Sequence, residues 1–408
     1  MKILILGGGA TGSITAKILA DFDNVQKVYI GDINDKNAKK FLVSHPKIVF
    51  KILDATKKDD VKAVLKDCVL LINAASPNFN KDLMKIALEA GVHYQDFASF
   101  WDKAVIEQLE HDVAFKEKGL VALINASATP GVSNLLVGEL CSGLKHIEYI
   151  KIRILENTND SIPFTAWSKE TVFDEFVCSP YILKNGKFIA KENFGEEEFY
   201  DFPKPFNKQR CYLVAQEDIG TIPHFIKTKY ADIKIGGNDV EFMKTLFQLG
   251  LLKTRLVKMG NALISPYQFM VRVWPDVPSL HEMKKLVDSK KIIDANLWVS
   301  IDVAGVETIK VENPETKEVS STHKKKTIRA NILFPSQSEI NKVYPGANYI
   351  SYSAGLSAAI FAASIPTLER KGVYSAEAIG DKNRDSLIKS FKKAGVKIEI
   401  TDTTESQS

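Results

Sequence analysis

Three glycines, Gly7, Gly9 and Gly12, directly follow the apolar run Ile3-Leu4-Ile5-Leu6, and Asp32 follows a second apolar run, Val28-Tyr29-Ile30. In such a turn the first glycine permits a tight reversal, the second lets backbone approach a pyrophosphate, and the third lets a helix pack on a strand. Ala10 and Thr11 complete the turn, and the helix expected over 13–21 offers its N–H groups and positive dipole end to phosphates. Asp32 is placed to accept hydrogen bonds from both ribose hydroxyls; its alternative is a solvated loop carboxylate. No arginine stands at 31–35 to receive a 2′-phosphate, which favours NAD, while Lys36 leaves NADP open.

Other candidates stand where strands end. Asp54 follows a third strand and can face an adenine edge, and Ala74, Ala75 and Ser76 follow a fourth, where small residues allow close cofactor approach. His93 and Asp96 flank a fifth strand and differ in parity, so they face opposite sides of a regular strand. His93 is a candidate base or a buried structural histidine, and Asp96 a site carboxylate or a turn cap. Ser99 and Asp102 lie on the loop beyond, able to meet a carboxamide or substrate, with Asp102 equally a helix cap.

These positions require an alternating scaffold. Strand patterns at 2–6, 27–31, 48–52, 69–74, 93–96 and 121–124 alternate with helix patterns at 13–21, 34–43, 58–65, 81–90 and 103–118. That rhythm predicts an α/β fold with a doubly wound parallel sheet, binding ligands past the strands' carboxyl ends. From about Lys145 the segments lengthen, at 147–155, 268–274, 297–306 and 326–334, and read as a second, mixed and largely antiparallel sheet of an α+β domain. Helix patterns at 169–177 and 239–249 lie among them. The small-residue helix at 353–364 suits tight packing, and 401–408 reads as a frayed tail.

The bulk properties exclude several classes. A chain of 408 residues exceeds one ordinary core, and 45% hydrophobic with 25% charged residues is typical of a globular protein. The net charge of +4 is dispersed, and Lys324-Lys325-Lys326 reads as a solvated strand end, so no nucleic-acid partner is expected. Cys68, Cys141, Cys178 and Cys211 are scattered without a histidine cluster, giving neither a disulfide framework nor a metal site and pointing to a reducing cytoplasm. No signal-peptide core is visible, and no stretch approaches the roughly 18 apolar residues of a spanning helix, so no membrane partner is expected.

Further motifs follow in order: Gly91-Val92-His93-Tyr94-Gln95-Asp96, Thr129-Pro130-Gly131-Val132-Ser133-Asn134, Ala166-Trp167-Ser168 ahead of an acidic helix, Thr221-Ile222-Pro223, Ser353-Ala354-Gly355, and Lys371-Gly372-Val373 with Glu377. With the glycine turn, this series resembles the saccharopine dehydrogenase-like family, whose members include saccharopine reductases, lysine 6-dehydrogenases and carboxynorspermidine dehydrogenases. The resemblance implies an NAD(P)-binding domain split between 1–130 and 351–400, a substrate-binding and dimerisation domain at 131–350, a homodimer, and an amino acid or amine bound between the domains. The Trp-Ser element and the Pro-Gly-x-x-Asn turn look most like the lysine 6-dehydrogenase branch. The reductases carry aspartate before the Pro-Gly and use NADP; Thr129 stands here instead and cannot be a charged proton acceptor.

The reaction so implied is hydride transfer at a CH–NH bond, either oxidising an amine or, in reverse, condensing one with a carbonyl compound. A non-catalytic dinucleotide-binding redox sensor is the remaining alternative. An amine with a pKa of about 10.4 must lose its proton before oxidation, so a base or desolvation is needed. Glu217 and Asp218 form an acidic pair able to meet an ammonium group, or a surface pair. Asn134 is a carboxylate ligand or a helix cap, Trp167 a wall for an aliphatic chain or a core residue, and Thr221 lies beside the acidic pair. Arg153 and Arg272, inside strand patterns, are outward-facing or carboxylate clamps.

Overall fold

The computed structural model describes residues 1–99, 103–160, 164–312 and 319–404. In chain order its strands are β1 (Lys2–Leu6), β2 (Lys27–Asp32), β3 (Ile48–Ile52), β4 (Leu70–Asn73), β5 (His93–Asp96), β6 (Val121–Leu123), β7 (Leu144–Asp160), β8 (Tyr181–Lys184), β9 (Lys187–Ala190), β10 (Glu198–Asp201), β11 (Lys208–Tyr212), β12 (Tyr230–Gly236), β13 (Val257–Met259), β14 (Ala262–Ile264), β15 (Ile292–Glu312), β16 (Val319–Leu333), β17 (Gly372–Tyr374) and β18 (Lys397–Asp402).

Ile3, Leu4, Ile5 and Leu6 are all buried, because helices cover both faces of the sheet and no polar alternation is required. Among the described residues this sheet has seven strands in the order β3-β2-β1-β4-β5-β6-β17, parallel throughout. The order reverses between β1 and β4, so the loops after those strands part and leave a crevice. The last strand comes from chain that has left and returned, with Gly372 pairing Val121.

The second sheet runs β10-β11-β12-β7-β15-β16-β18, with the β8–β9 hairpin attached to β12. β7 and β12 are parallel and the other neighbours antiparallel. Along β7, Ile152 and Ile154 face the main core while Arg153 and Leu155 face the other side. The two sheets share that main core, which places the first sheet's crevice against the covered face of the second.

Four expectations need correction. Residues 268–273 are helical, within Pro266–Val273, and Trp274 is its extended C-cap, because Ser265 caps Gln268 and Pro266 occupies the first turn, where its missing N–H costs nothing. The helix expected at 34–43 is confined to Asp35–Ala38. Thr401 and Asp402 are not frayed: they pair with Arg329 and Ile328 in β18, and Thr403 donates to Thr327. Residues 405–408 lie outside the described residues. Finally, the segment Tyr349–Thr367 has 19 residues and a mean hydropathy of 1.2, long and apolar enough to span by composition, but 67% of it is buried inside the protein. A Cβ on Gly355 would lie 2.7 Å from Ile14 Cγ2, so glycine there lets this helix close on Ala10–Ala20.

Candidate active site

The glycine turn forms one wall of the crevice. A Cβ on Gly12 would stand 2.0 Å from the Gly7 oxygen, so only glycine lets the helix Ala10–Ala20 start so close to β1. Beside Gly9 nothing lies within 4 Å of a built Cβ, and no side chain caps the helix. Its first N–H groups therefore face open space shaped for a phosphate. Asp32 is locked at the edge of this turn, accepting from Gly8 N at 2.7 Å and Asn34 N at 2.8 Å. Asp54 accepts from the backbone and hydroxyl of Thr56, which hold its carboxyl below the usual range. Ala74 and Ala75 line the crevice floor; Ser76 turns away to cap Asn78.

The cavity extends from Gly9, Ala10 and Thr11 past Ala74, Phe97 and Thr129 into the second domain, with a volume of about 590 Å³. At its far end three carboxylates converge: Glu156 from β7, Glu175 from the helix Lys169–Glu175, and Glu217 from the segment after β11. Burial and the neighbouring Glu217 and Glu156 push the Glu175 carboxyl well above its ordinary value, despite a hydrogen bond with Gln216. Burial, with Asp239 adding to it, raises Glu156 to about 8; burial and Asp218 raise Glu217 to about 7. Among the described residues no lysine or arginine forms an ion pair with any of the three, and none is a cause of their shifts. Trp167 forms a side wall, its segment tied down where Ala166 O accepts from Asn348 Nδ2 at 2.8 Å and Ser351 Oγ at 2.6 Å. The cations lie toward the rim: Lys40 is exposed, and Lys169 pairs with exposed Asp276 at 2.7 Å.

Several candidates stand elsewhere. His93 is at the amino end of β5, across the sheet from the cavity, where its Nδ1 accepts from Val121 N at 3.0 Å; burial and Lys371 lower its pKa. It cannot reach substrate. Asp96 does sit at the carboxyl end, but turned inward, accepting from Asn125 N at 2.7 Å and Gln108 Nε2 at 2.6 Å. Burial raises it to about 7, and it does not line the cavity. Ser99 donates to the same Gln108, so the pair fastens the helix Lys103–Leu109 instead of meeting cofactor. Asp102 lies outside the described residues. Arg272 is exposed on Pro266–Val273, away from the cavity lining, and Arg153 is bound to Asp232 and Glu198. Neither is a clamp.

Asn134, Asp218 and Thr221 are fully buried beneath the cavity. Asn134 Nδ2 donates to Asp218 O at 2.8 Å, and Thr129 and Ser133 both donate to Asp218 Oδ1. This knot ties the helix Val132–Cys141 to the segment Asp218–Gly220, and Asp218, fully buried in it, cannot touch a substrate ammonium. Glu156, Glu175 and Gln216 escaped the sequence reading. The acidic stretch after Trp167-Ser168 hinted at Glu175, but nothing local announces that residues 156, 175 and 217 meet.

A parallel sheet with an uncapped glycine turn at its switch point, opening onto a cleft shared with a second domain, defines a dinucleotide-dependent oxidoreductase. Residues 3–123 match the saccharopine dehydrogenase NADP-binding domain. The carboxyaminopropylagmatine dehydrogenase of Synechocystis is 26% identical over 298 residues, covering 69% of this chain and 74% of that protein. The fold is shared with saccharopine dehydrogenase (L-Glu forming) from Saccharomyces cerevisiae, with a TM-score of 0.67 and 14% identity over 98% of this chain and 99% of that one. It is shared too with a homospermidine synthase from Legionella pneumophila in complex with NAD, with a TM-score of 0.58 and 14% identity over 99% of this chain and 91% of that one. Residues 3–123 thus form a saccharopine dehydrogenase-type NADP-binding domain, and the chain is an NAD(P)-dependent oxidoreductase similar over most of its length to the dehydrogenase of Synechocystis.

Proposed function

We propose that this enzyme transfers hydride at the C–N bond of a polycationic amine, working as a reductive condensation of that amine with a carbonyl compound. One observation carries the reading: three recessed carboxylates, with no cationic partner among the described residues, stand at the far end of a cleft whose near end is the dinucleotide turn. Such a group repels a dicarboxylate and attracts ammonium or guanidinium ions. The relative named for carboxyaminopropylagmatine supports it, since an agmatine carries a guanidinium group and the added arm a carboxylate. Glu156 and Glu175 would hold the distal cation, Trp167 the aliphatic stem, and Lys40 or Lys169 at the rim a carboxylate.

When bound, NAD(P) supplies the hydride chemistry. The helix Ala10–Ala20 would hold its phosphates and Asp32 its ribose, which supports a preference for NAD. Glu217, titrating at about 7, is suited to take the proton of the reacting ammonium. The free cysteines fit a reducing cytoplasm, and exposed Met259, Leu263 and Phe269 fit the expected homodimer.

Oxidation of lysine, the branch favoured by the sequence, is the second reading, supported by the rim lysines as partners for a single carboxylate. Both are tested by following nicotinamide absorbance with NAD(H) and NADP(H) against agmatine or spermidine with an aldehyde, against lysine, and against saccharopine. Reduced cofactor consumed only when amine and aldehyde are both present is the expected result. Oxidised cofactor reduced by lysine alone would favour the second reading, and activity confined to saccharopine would overturn both.

A further inference from the structure

Oxidising a C–N bond produces an iminium ion, which must still add water, and that water must lose a proton. Glu217 serves the nitrogen, and the cavity floor holds a separate group suited to the oxygen. The turn at residues 127–131 brings half-buried Thr129 into the cavity lining, between the cofactor-facing alanines and the acidic end. Thr129 Oγ1 donates to Asp218 Oδ1 at 2.7 Å, and Ser133 donates to the same oxygen. Asp218 is fully buried, and its Oδ2 has no partner among the described residues. A threonine hydroxyl that gives its hydrogen inward keeps lone pairs free to accept one from the cavity.

We propose that Thr129 is a catalytic residue that relays a proton between the substrate's water and Asp218. In hydrolysis the water passes a proton to Thr129 Oγ1 as Thr129 passes its own to Asp218 Oδ1. The hydroxide forms a C–O bond at the iminium carbon, and the C=N π electrons move to nitrogen, giving a neutral carbinolamine. In condensation the steps reverse: the carbinolamine hydroxyl takes a proton from Thr129, Asp218 returns one to Thr129, the C–O bond breaks and water leaves. Asp218 acts only through Thr129 and is a positioning residue. The buried carboxylate thus reaches the reaction from beneath the cavity floor, through Thr129.

The inference rests on the amine reading, and one experiment separates the two. Wild type, Thr129→Val and Thr129→Ser are mixed with NAD(P)+ and the secondary amine that the active condensation forms, or lysine if lysine is the active substrate, in a stopped-flow instrument, with thermal melting and reduced-cofactor fluorescence as checks on fold and cofactor binding. In Thr129→Val, hydride transfer should survive as a burst of reduced cofactor at near wild-type rate, followed by turnover slowed about 100-fold. Thr129→Ser should restore turnover to within about threefold. A Thr129→Val enzyme with unchanged turnover, or one whose burst and turnover fall together, overturns the relay and leaves the amine reading standing. Absence in wild type of any cofactor reduction by the secondary amine or by lysine, together with absence of the condensation itself, overturns both.

Discussion

One strand carries both kinds of buried charge in this protein. On one face of β7, Arg153 binds Asp232 through two nitrogens at 2.9 and 3.0 Å, and also binds Glu198, which takes Lys234 at 2.9 Å. Three residues on, Glu156 faces the other way, into the cleft with Glu175 and Glu217. Burial alone would raise Glu198, but Arg153 and Lys234 outweigh it and hold that carboxyl below its ordinary value. The cleft carboxylates, desolvated and without an ion-paired cation among the described residues, are raised instead. Paired charge fixes the sheet; unpaired charge is a site awaiting a partner.

Breaking the paired side should have the largest effect. Arg153→Met leaves Asp232 and Glu198 unpaired, and a loss of about 3–5 kcal/mol in denaturant unfolding is expected. On the unpaired side, Glu175→Gln should leave melting temperature equal or higher, since it removes repulsion, while weakening amine affinity about 30-fold in equilibrium titration. A variant that loses stability like Arg153→Met would erase the distinction.

The same contrast sets a pH dependence. Carboxyls raised in the fold add stability that is full below their unfolded value of about 4.5 and lost as pH climbs through about 7 to 8 for Glu217 and Glu156. Asp96 adds the same sign near 7. A bound cation favours the ionised forms, so amine affinity should tighten about tenfold between pH 6 and pH 8.5, and a Glu156→Gln, Glu217→Gln double variant should flatten that profile. Asp32→Ser should shift the NAD to NADP preference in kcat/KM about tenfold toward NADP. His93→Gln, on the far side of the sheet, should change kcat by less than about twofold in the same assay.

Much of the first sheet was legible because its strands are short apolar runs between glycine and polar turns, and because Gly7, Gly9 and Gly12 constrain local backbone. Asp32 was legible for the same reason: two bonds to nearby N–H groups fix it. The chemistry beyond the cofactor was not. Asp96 satisfies the rule for strand ends yet turns inward to Gln108, a contact set by helix packing. The segment 268–274 alternates like a strand, but Ser265-Pro266 starts a helix, and a cap outweighs alternation in so short a run. The acidic site is assembled from a strand, a helix and a loop that only the meeting of two sheets brings together.

The most direct test is calorimetric titration of agmatine into the protein loaded with oxidised cofactor and into its Glu175→Gln form, with saccharopine as the comparison ligand. Agmatine should bind the wild type more tightly than saccharopine does and lose about 30-fold in the variant. Equal agmatine affinity in the two proteins, or tighter binding of saccharopine, would contradict an amine site built from unpaired carboxylates.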